Sequence, residues 1–537
     1  MKSSALLSTH AAKGNLCLVL HAHLPFVRHP EREYMLEENW LFEAITETYI
    51  PLLSIFDNIV SDRVPLRITL SMSPTLCEML GDPLLRQRYV KYIDRSIELA
   101  EKECVRTKNQ PEFRDTAKMY LEKFMSAKKV FVDYCSMDLA GQFAELQDKG
   151  ALELITSAAT HGFFPVMREN PQAIIAQVRI AVETHERIFK KPPAGFWLPE
   201  CGYYPGVEKI LHAAGISYFF TDAHGVLFSE PRPRYGVFAP VVCSGAPVAA
   251  FGRDIEASKA VWSAHEGYPG DPAYREFYRD IGFDLDMEYV RPYIDPIGLR
   301  ANTGVKYYKI TGKTDHKKPY DRDRALDRAL IHAGNFMFNR EKRIEYCSSL
   351  MDRPPLIVAP FDAELFGHWW YEGPQWLNFL IRKIAFEQNI VTLCTASDYL
   401  SANPDNQVCT PSLSSWGQKG YCEVWLDERS DWAYPDIFKM EILMEELART
   451  FERPDPLTRR ALNQMARELL LAQSSDWAFI MKTGAMENYA RRRVKEHIAN
   501  FIRLSGEVRS GKPEEHFISV LEAQNNIFKN IDYRVYA

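Results

Sequence analysis

Short apolar runs recur along the chain with longer amphipathic stretches between them: Leu16–Leu20, Leu66–Met72, Leu152–Thr156, Gly195–Leu198, Tyr218–Thr221, Val248–Phe251, Leu356–Pro360 and Val391–Thr395. Runs of strand length alternating with helical segments predict a parallel sheet covered by helices, and about seven or eight such units close a barrel. In a barrel the carboxyl ends of the strands converge on one site. Here those ends read His21-Ala22-His23, Ser71-Met72-Ser73, Thr160-His161-Gly162, Glu200, Thr221-Asp222 and Asp362, a polar, titratable set.

Two segments break the alternation. Between 85 and 145 the apolar positions Tyr89, Tyr92, Ile93, Ile97 and Leu99, then Met119, Leu121, Phe124 and Met125, fall at helical intervals and predict an insertion between barrel strands. From Ile437 onward, through Leu462–Leu471, the period is helical again. The expected organisation is a barrel over 1–84 and 146–400, a helical insertion over 85–145, and a helical C-terminal domain over 401–537 that contributes to the cleft. The run Arg491-Arg492-Arg493-Val494-Lys495 reads as a solvated helix face. Phe228–Pro247 and Asp254–Asp286 show little regular pattern, and loops that long in a compact domain are usually lids or binding loops.

Composition narrows the partners. With 46% hydrophobic and 25% charged residues over 537 positions, the chain reads as an ordinary globular enzyme. A net charge of -6 argues against a nucleic-acid partner, which calls for a basic excess, and leaves a neutral polymer suitable. The ten cysteines (17, 77, 104, 135, 201, 243, 347, 394, 409, 422) include no C-x-x-C pair and read as reduced packing thiols. Residues 1–14 lack an apolar core of signal length, and no run approaches the roughly 18 residues of a membrane span, so a cytoplasmic location is expected with no membrane partner.

The chemistry concentrates in two motifs. Trp197-Leu198-Pro199-Glu200-Cys201-Gly202-Tyr203 ends an apolar run on a carboxylate, and Pro360-Phe361-Asp362-Ala363-Glu364-Leu365-Phe366-Gly367-His368-Trp369-Trp370 repeats the arrangement. Two acids at strand ends beside aromatics fit glycosidic chemistry: one carboxylate captures the anomeric carbon, the other protonates the leaving oxygen, and rings stack on sugars. Glu364, two positions after Asp362, either shares that chemistry or holds a neighbouring His or Arg. His21 and His23 admit three readings, as sugar contacts, core groups or metal ligands. In the last, His161, Asp222, His224 and Asp362 would complete the site of a metal-dependent amidohydrolase or deacetylase. Seven of the ten tryptophans lie between Trp369 and Trp477, most of them expected in the core. Asp476-Trp477 stands out as a pair able to reach the barrel mouth.

Taken together, HAHLP at 21–25, ELITSAATHGF at 153–163, WLPECGY at 197–203, PFDAELFGHWW at 360–370 and SSDWAF at 474–479 make the chain resemble glycoside hydrolase family 57. FGRD at 251–254, VWSAHEGYPGD at 261–271 and YRDIGFDLD at 278–286 resemble its glucan branching enzymes more than its amylases. The resemblance implies an α/β fold built on an incomplete (β/α)7 TIM-like barrel, with a helical insertion and an all-helical C-terminal domain. It also implies a retaining mechanism without metal or other cofactor, acting on an α-1,4-glucan. Glu200 would be the nucleophile and Asp362 the general acid/base. His21, His23 and His161 would line the donor subsite. Arg253, Trp262, Trp370, Trp416, Trp425 and Asp476 would contact glucan, and Tyr235 would tip a flexible loop guarding the acceptor side. The expected activity is 1,4-α-glucan branching. The competing readings are an α-1,4-glucan hydrolase, the metal-dependent amidohydrolase or deacetylase, and a non-catalytic glucan-binding protein; no oligomeric state is implied.

Overall fold

The computed structural model describes residues 12–294 and 298–537. Its strands are β1 (Gly14–Ala22), β2 (Ile68–Met72), β3 (Leu152–Ser157), β4 (Gly195–Trp197), β5 (Tyr218–Thr221), β6 (Val241–Cys243), β7 (Ala249–Gly252), β8 (Leu356–Asp362), β9 (Val391–Leu393) and β10 (Val408–Cys409). They form one curled sheet in the order β10-β6-β7-β5-β4-β3-β2-β1-β8, with β9 against the start of β1. From β7 through to β8 every ladder is parallel, which makes the incomplete seven-stranded barrel. Between β7 and β8 no strand ladder forms among the described residues. Single hydrogen bonds span the gap instead, from Asp254 N–H to the Val358 carbonyl and from Leu356 N–H to the Phe238 carbonyl, each 2.8 Å.

Each apolar run read from the sequence is a strand. β6 and β10, three and two residues long, are too short to leave a pattern. β1 is buried along almost its whole length because helices cover one face and the barrel interior the other, as parallel strands require. Its register carries the functional consequence: His21 pairs with Asp362 of β8 on one side and with Ser71 of β2 on the other.

The insertion contains helices Pro83–Arg106, Pro111–Lys129 and Leu139–Asp148. Asp82 starts the first by accepting from the Leu84 and Leu85 N–H groups. Tyr89, Ile93, Leu99, Met119, Tyr120 and Phe124 turn inward, whereas Met125 faces solvent. The C-terminal helices are Tyr434–Thr450, Pro456–Ala472, Ser475–Thr483, Glu487–Arg509 and Glu515–Gln524. Residues 403–433 contain no α-helix, and β10 joins them to the sheet through β6. The arginine cluster is not a uniformly solvated face: Arg493 is buried and reaches Asn525 at 3.5 Å, because every third or fourth position of this helix packs on its neighbours. The two stretches without pattern hold more order than expected, β6 in the first and helix Ile255–Trp262, capped by Asp254, in the second. Among the described residues no helix is long and apolar enough to cross a membrane.

Candidate active site

At the carboxyl end of β4 the chain turns at Leu198-Pro199 and places Glu200 (φ 59°) and Cys201 (φ 52°) in the left-handed region; His161, beyond β3, shares it at φ 59°. For residues with a Cβ this conformation costs about 1–3 kcal/mol each, so the surroundings must hold it, and such strain collects at functional sites. The holding contacts are visible. Trp416 N–H donates to the Glu200 carbonyl at 3.0 Å, Cys201 N–H to the Leu198 carbonyl at 2.8 Å, and Ser475 N–H to the His161 carbonyl at 3.1 Å.

The Glu200 carboxyl accepts from Trp416 Nε1 at 2.7 Å and lies 3.5 Å from the Ser475 hydroxyl and 3.9 Å from His161 Nδ1. Burial pushes its pKa up to about 8, against the Trp416 hydrogen bond, with the Asp362 charge adding to the rise. Burial, and then the Glu364 charge, raise Asp362 well above the usual carboxylate range. Burial and the mutual repulsion of the two carboxyls both work against their ionising together. No described side chain hydrogen-bonds the Asp362 carboxyl, which leaves it open to a substrate oxygen. Glu364, by contrast, is occupied: the Tyr49 hydroxyl and the His23 N–H, the latter at 3.2 Å, both donate to Oε1.

The histidines stack in one layer. His23 and His161 have ring centroids 3.9 Å apart, and His21 lies 4.6 Å from the Trp197 ring. Every ring nitrogen has a partner. His21 pairs with Ser71 at 3.0 Å and with His161 Nε2 at 3.0 Å; His23 pairs with Ser73 at 2.8 Å and Asp476 at 3.0 Å; His161 Nδ1 pairs with Ser475 at 2.9 Å. Burial works against an Asp476 charge, but the His23 charge and hydrogen bond outweigh it and bring the carboxyl down to about 2. Asp476 arrives from the C-terminal helices, docked by Gln177 Nε2 on Gln473 at 3.0 Å and by the bridge between Gly162 and Ser474.

His23, His161 and Asp476 each offer a ligand atom, all within 4.8 Å of one another, and could hold a cation. Their hydrogen bonds already satisfy them without one. Asp222 and His224 lie elsewhere: they pair with each other at 3.0 Å, Asp222 holds Arg253 at 2.6 Å and His224 reaches the Gly420 carbonyl at 2.7 Å. The wider hydrolytic ligand set is therefore not gathered among the described residues.

Of the expected glucan contacts, Trp416 touches Glu200. Arg253 lies 6.0 Å from the Trp416 ring, and Trp262, 41% exposed, meets it edge-on at 6.1 Å. Trp370 and Trp425 are placed differently. Both are 1% exposed, Trp370 packed with Trp376 and Tyr274 and Trp425 stacked on Phe163 at 4.3 Å, so they are core side chains. Tyr235 makes no described contact with Glu200 or Asp362. Arg234 pairs with Asp352, and Arg353 lies 5.6 Å from the Tyr235 ring, which puts the loop tip at the entry end of β8. Sequence reasoning missed Tyr49, Ser73 and Ser475 as supports. The serines lay inside noted segments, whereas Tyr49, in mid-helix, carried no signal.

A curled parallel barrel with two largely desolvated carboxyls in an aromatic and imidazole cleft defines a carbohydrate-active enzyme. The chain belongs to glycosyl hydrolase family 57, whose model matches residues 17–411; the model of the 1,4-alpha-glucan branching enzyme C-terminal region matches residues 436–536. It is 33% identical to a 1,4-alpha-glucan branching enzyme of Thermococcus kodakarensis across 97% of this chain and 78% of that protein. Among solved structures it is similar to the alpha-amylase AmyC of Thermotoga maritima (43% identity, TM-score 0.91, covering 98% of this chain and 99% of that one). It is also similar to the GH57-type branching enzyme of Pyrococcus horikoshii (32% identity, TM-score 0.88, covering 98% and 97%).

Proposed function

We propose that this chain is a 1,4-α-glucan branching enzyme working by retaining double displacement. Glu200 attacks the anomeric carbon, the glycosidic bond breaks, and the Asp362 proton passes to the departing 4-oxygen. Asp362, now ionised, takes the proton of an acceptor 6-hydroxyl, whose oxygen displaces Glu200 and leaves an α-1,6 branch. The observation that carries this reading is Glu200 itself, held in a strained left-handed backbone with its carboxyl coupled to Asp362. His21, His23, His161 and Asp476, bonded to one another and to Ser71, Ser73 and Ser475, form a fixed polar wall for the sugar bound at Glu200, and Trp416, Trp262 and Arg253 line the mouth. The branching enzymes among the relatives support transfer as the outcome.

A second reading, α-1,4-glucan hydrolysis, is favoured by one observation: the tip of the loop expected to cover the acceptor side is held by the Arg234 pair with Asp352, ahead of β8, with no described contact to Glu200 or Asp362. The AmyC resemblance points the same way. Incubation with amylose separates the two. Debranching of the product should release new chains in excess of the reducing ends formed by cleavage. Reducing ends alone would establish the hydrolase, and neither product would remove the glucan reading altogether.

We also infer that the barrel unit runs to about 433 rather than 400, since β10 and Trp416 belong to the sheet and its site. All ten cysteines are free, which suits a cytoplasmic enzyme.

The Trp416 hydrogen bond gives a measurable test of Glu200. Trp416→Phe keeps an aromatic ring but removes the donor that favours the ionised carboxylate. The Glu200 pKa should rise, and the acid limb of the kcat/KM profile should move to higher pH by about one unit. An unmoved limb would mean that Glu200 does not have to ionise for the reaction.

A further inference from the structure

A second aromatic pair stands at the surface beyond Asp362. After β8 the chain turns back on itself, with Trp369 N–H donating to the Glu364 carbonyl at 3.2 Å and Trp370 N–H to the Leu365 carbonyl at 2.8 Å. The two tryptophans part there: Trp370 enters the core, while Trp369 remains 53% exposed. Its indole is stacked on Phe277, from the segment after β7, with centroids 4.3 Å apart and planes at 28°. Tyr278, 81% exposed, stands edge-on to Phe277 at 5.2 Å and extends the apolar surface.

Charged groups fix this platform. Lys306 Nζ donates to the Phe277 carbonyl at 2.6 Å and lies 4.2 Å from the Phe277 ring. His368, edge-on to Trp369 at 5.4 Å, is held by Glu47 at 2.9 Å, and Glu43 reaches the same imidazole at 3.9 Å. His368 and Glu43 both keep part of their side chains open to solvent. A flat, rigid ring at the surface, with an acid and an imidazole at its rim, suits a pyranose, whose C–H face stacks while its hydroxyls reach the polar rim.

We propose that Trp369 and Phe277 form a glucan-stacking subsite on the leaving-chain side of the cleft, with Glu43 and His368 receiving hydroxyls. The proposal rests on the reading of Asp362 as the acid that protonates the leaving oxygen. The platform shares the turn that follows Asp362, so it flanks that oxygen, whereas Trp262 and Trp416 flank Glu200. Once the leaving chain departs, the same platform holds the acceptor glucan, and its grip decides how often a 6-hydroxyl rather than water meets the glycosyl-enzyme.

Full-length Trp369→Ala and Glu43→Gln, both altered at partly exposed side chains, test this with amylose. Trp369→Ala should raise KM for amylose about tenfold, one good contact on the affinity scale, with kcat for cleavage within about twofold of wild type. It should also lower the number of new α-1,6 linkages per bond cleaved and weaken maltoheptaose binding in a fluorescence titration; Glu43→Gln should shift the same three readouts in the same direction by less. An unchanged KM and linkage ratio in Trp369→Ala, with the wild type active, would overturn the subsite alone. So would an equal fall of kcat on every substrate, the mark of a merely structural role. A wild-type protein that neither cleaves nor binds amylose would overturn the underlying glucan reading and the subsite with it.

Discussion

Glu200→Gln and Asp362→Asn are each expected to lower turnover on amylose by at least about 10³-fold while leaving the protein folded, since each removes one half of a two-carboxylate mechanism. Stability provides the control, and its sign is opposite to that of an ordinary carboxylate deletion. The Glu200 carboxyl titrates near 4.5 in the unfolded chain and is raised to about 8 by burial in the folded one. Folding therefore binds a proton. The cost of this group is absent well below pH 4.5, grows as pH rises, and is complete above about 8, where a buried carboxylate must stay ionised. Glutamine carries no such cost. Calorimetry should find Glu200→Gln melting at or above wild type at pH 9, with that advantage shrinking toward pH 4. Wild-type turnover in either variant would remove the pair from the mechanism, and a collapse of the melting temperature at pH 9 would show that Glu200 is structural.

What the sequence discloses here follows from what each pattern encodes. The barrel strands are legible because burial on both faces demands unbroken apolar runs, and Glu200 and Asp362 because they end two of them. β6 and β10 are too brief for any period. Trp370 and Trp425 defeat the reading because an indole in the core and one in a sugar subsite are the same letter. In the pair Trp369-Trp370 the direction of each ring is set by a single turn that sequence does not specify. For Tyr235 the resemblance supplies the position, whereas the structure shows only that the neighbouring Arg234 pairs with Asp352 ahead of β8, a contact that no sequence pattern announces. The supports Ser73, Ser475 and Tyr49 come from three separate parts of the chain and meet only through the register of β1 with β8 and the docking of the C-terminal helices.

The second large effect is expected at Asp476, which brings the C-terminal helices into the chemistry. Its carboxyl, 17% exposed, accepts from His23 Nε2 at 3.0 Å and from the Ser474 hydroxyl at 2.5 Å. Asp476→Asn leaves the volume intact but removes the charge that faces His23, so an imidazole in the wall of the sugar site loses its fixed partner. A loss of about 10²-fold in kcat/KM is expected, the scale of removing one preorganised polar group from a buried site. A simple loosening of the site would also lower activity, so the pH profile must discriminate. The Asp476 charge raises the Glu200 pKa, and it acts on that group more strongly than the His23 charge that lowers it. Asp476→Asn should therefore move the acid limb of kcat/KM to lower pH, the opposite direction from Trp416→Phe, even as the maximum falls. An acid limb that moves to higher pH in Asp476→Asn would show that Asp476 does not act through its charge on Glu200, and undiminished kcat/KM in Asp476→Asn would place the C-terminal helices outside the reacting site.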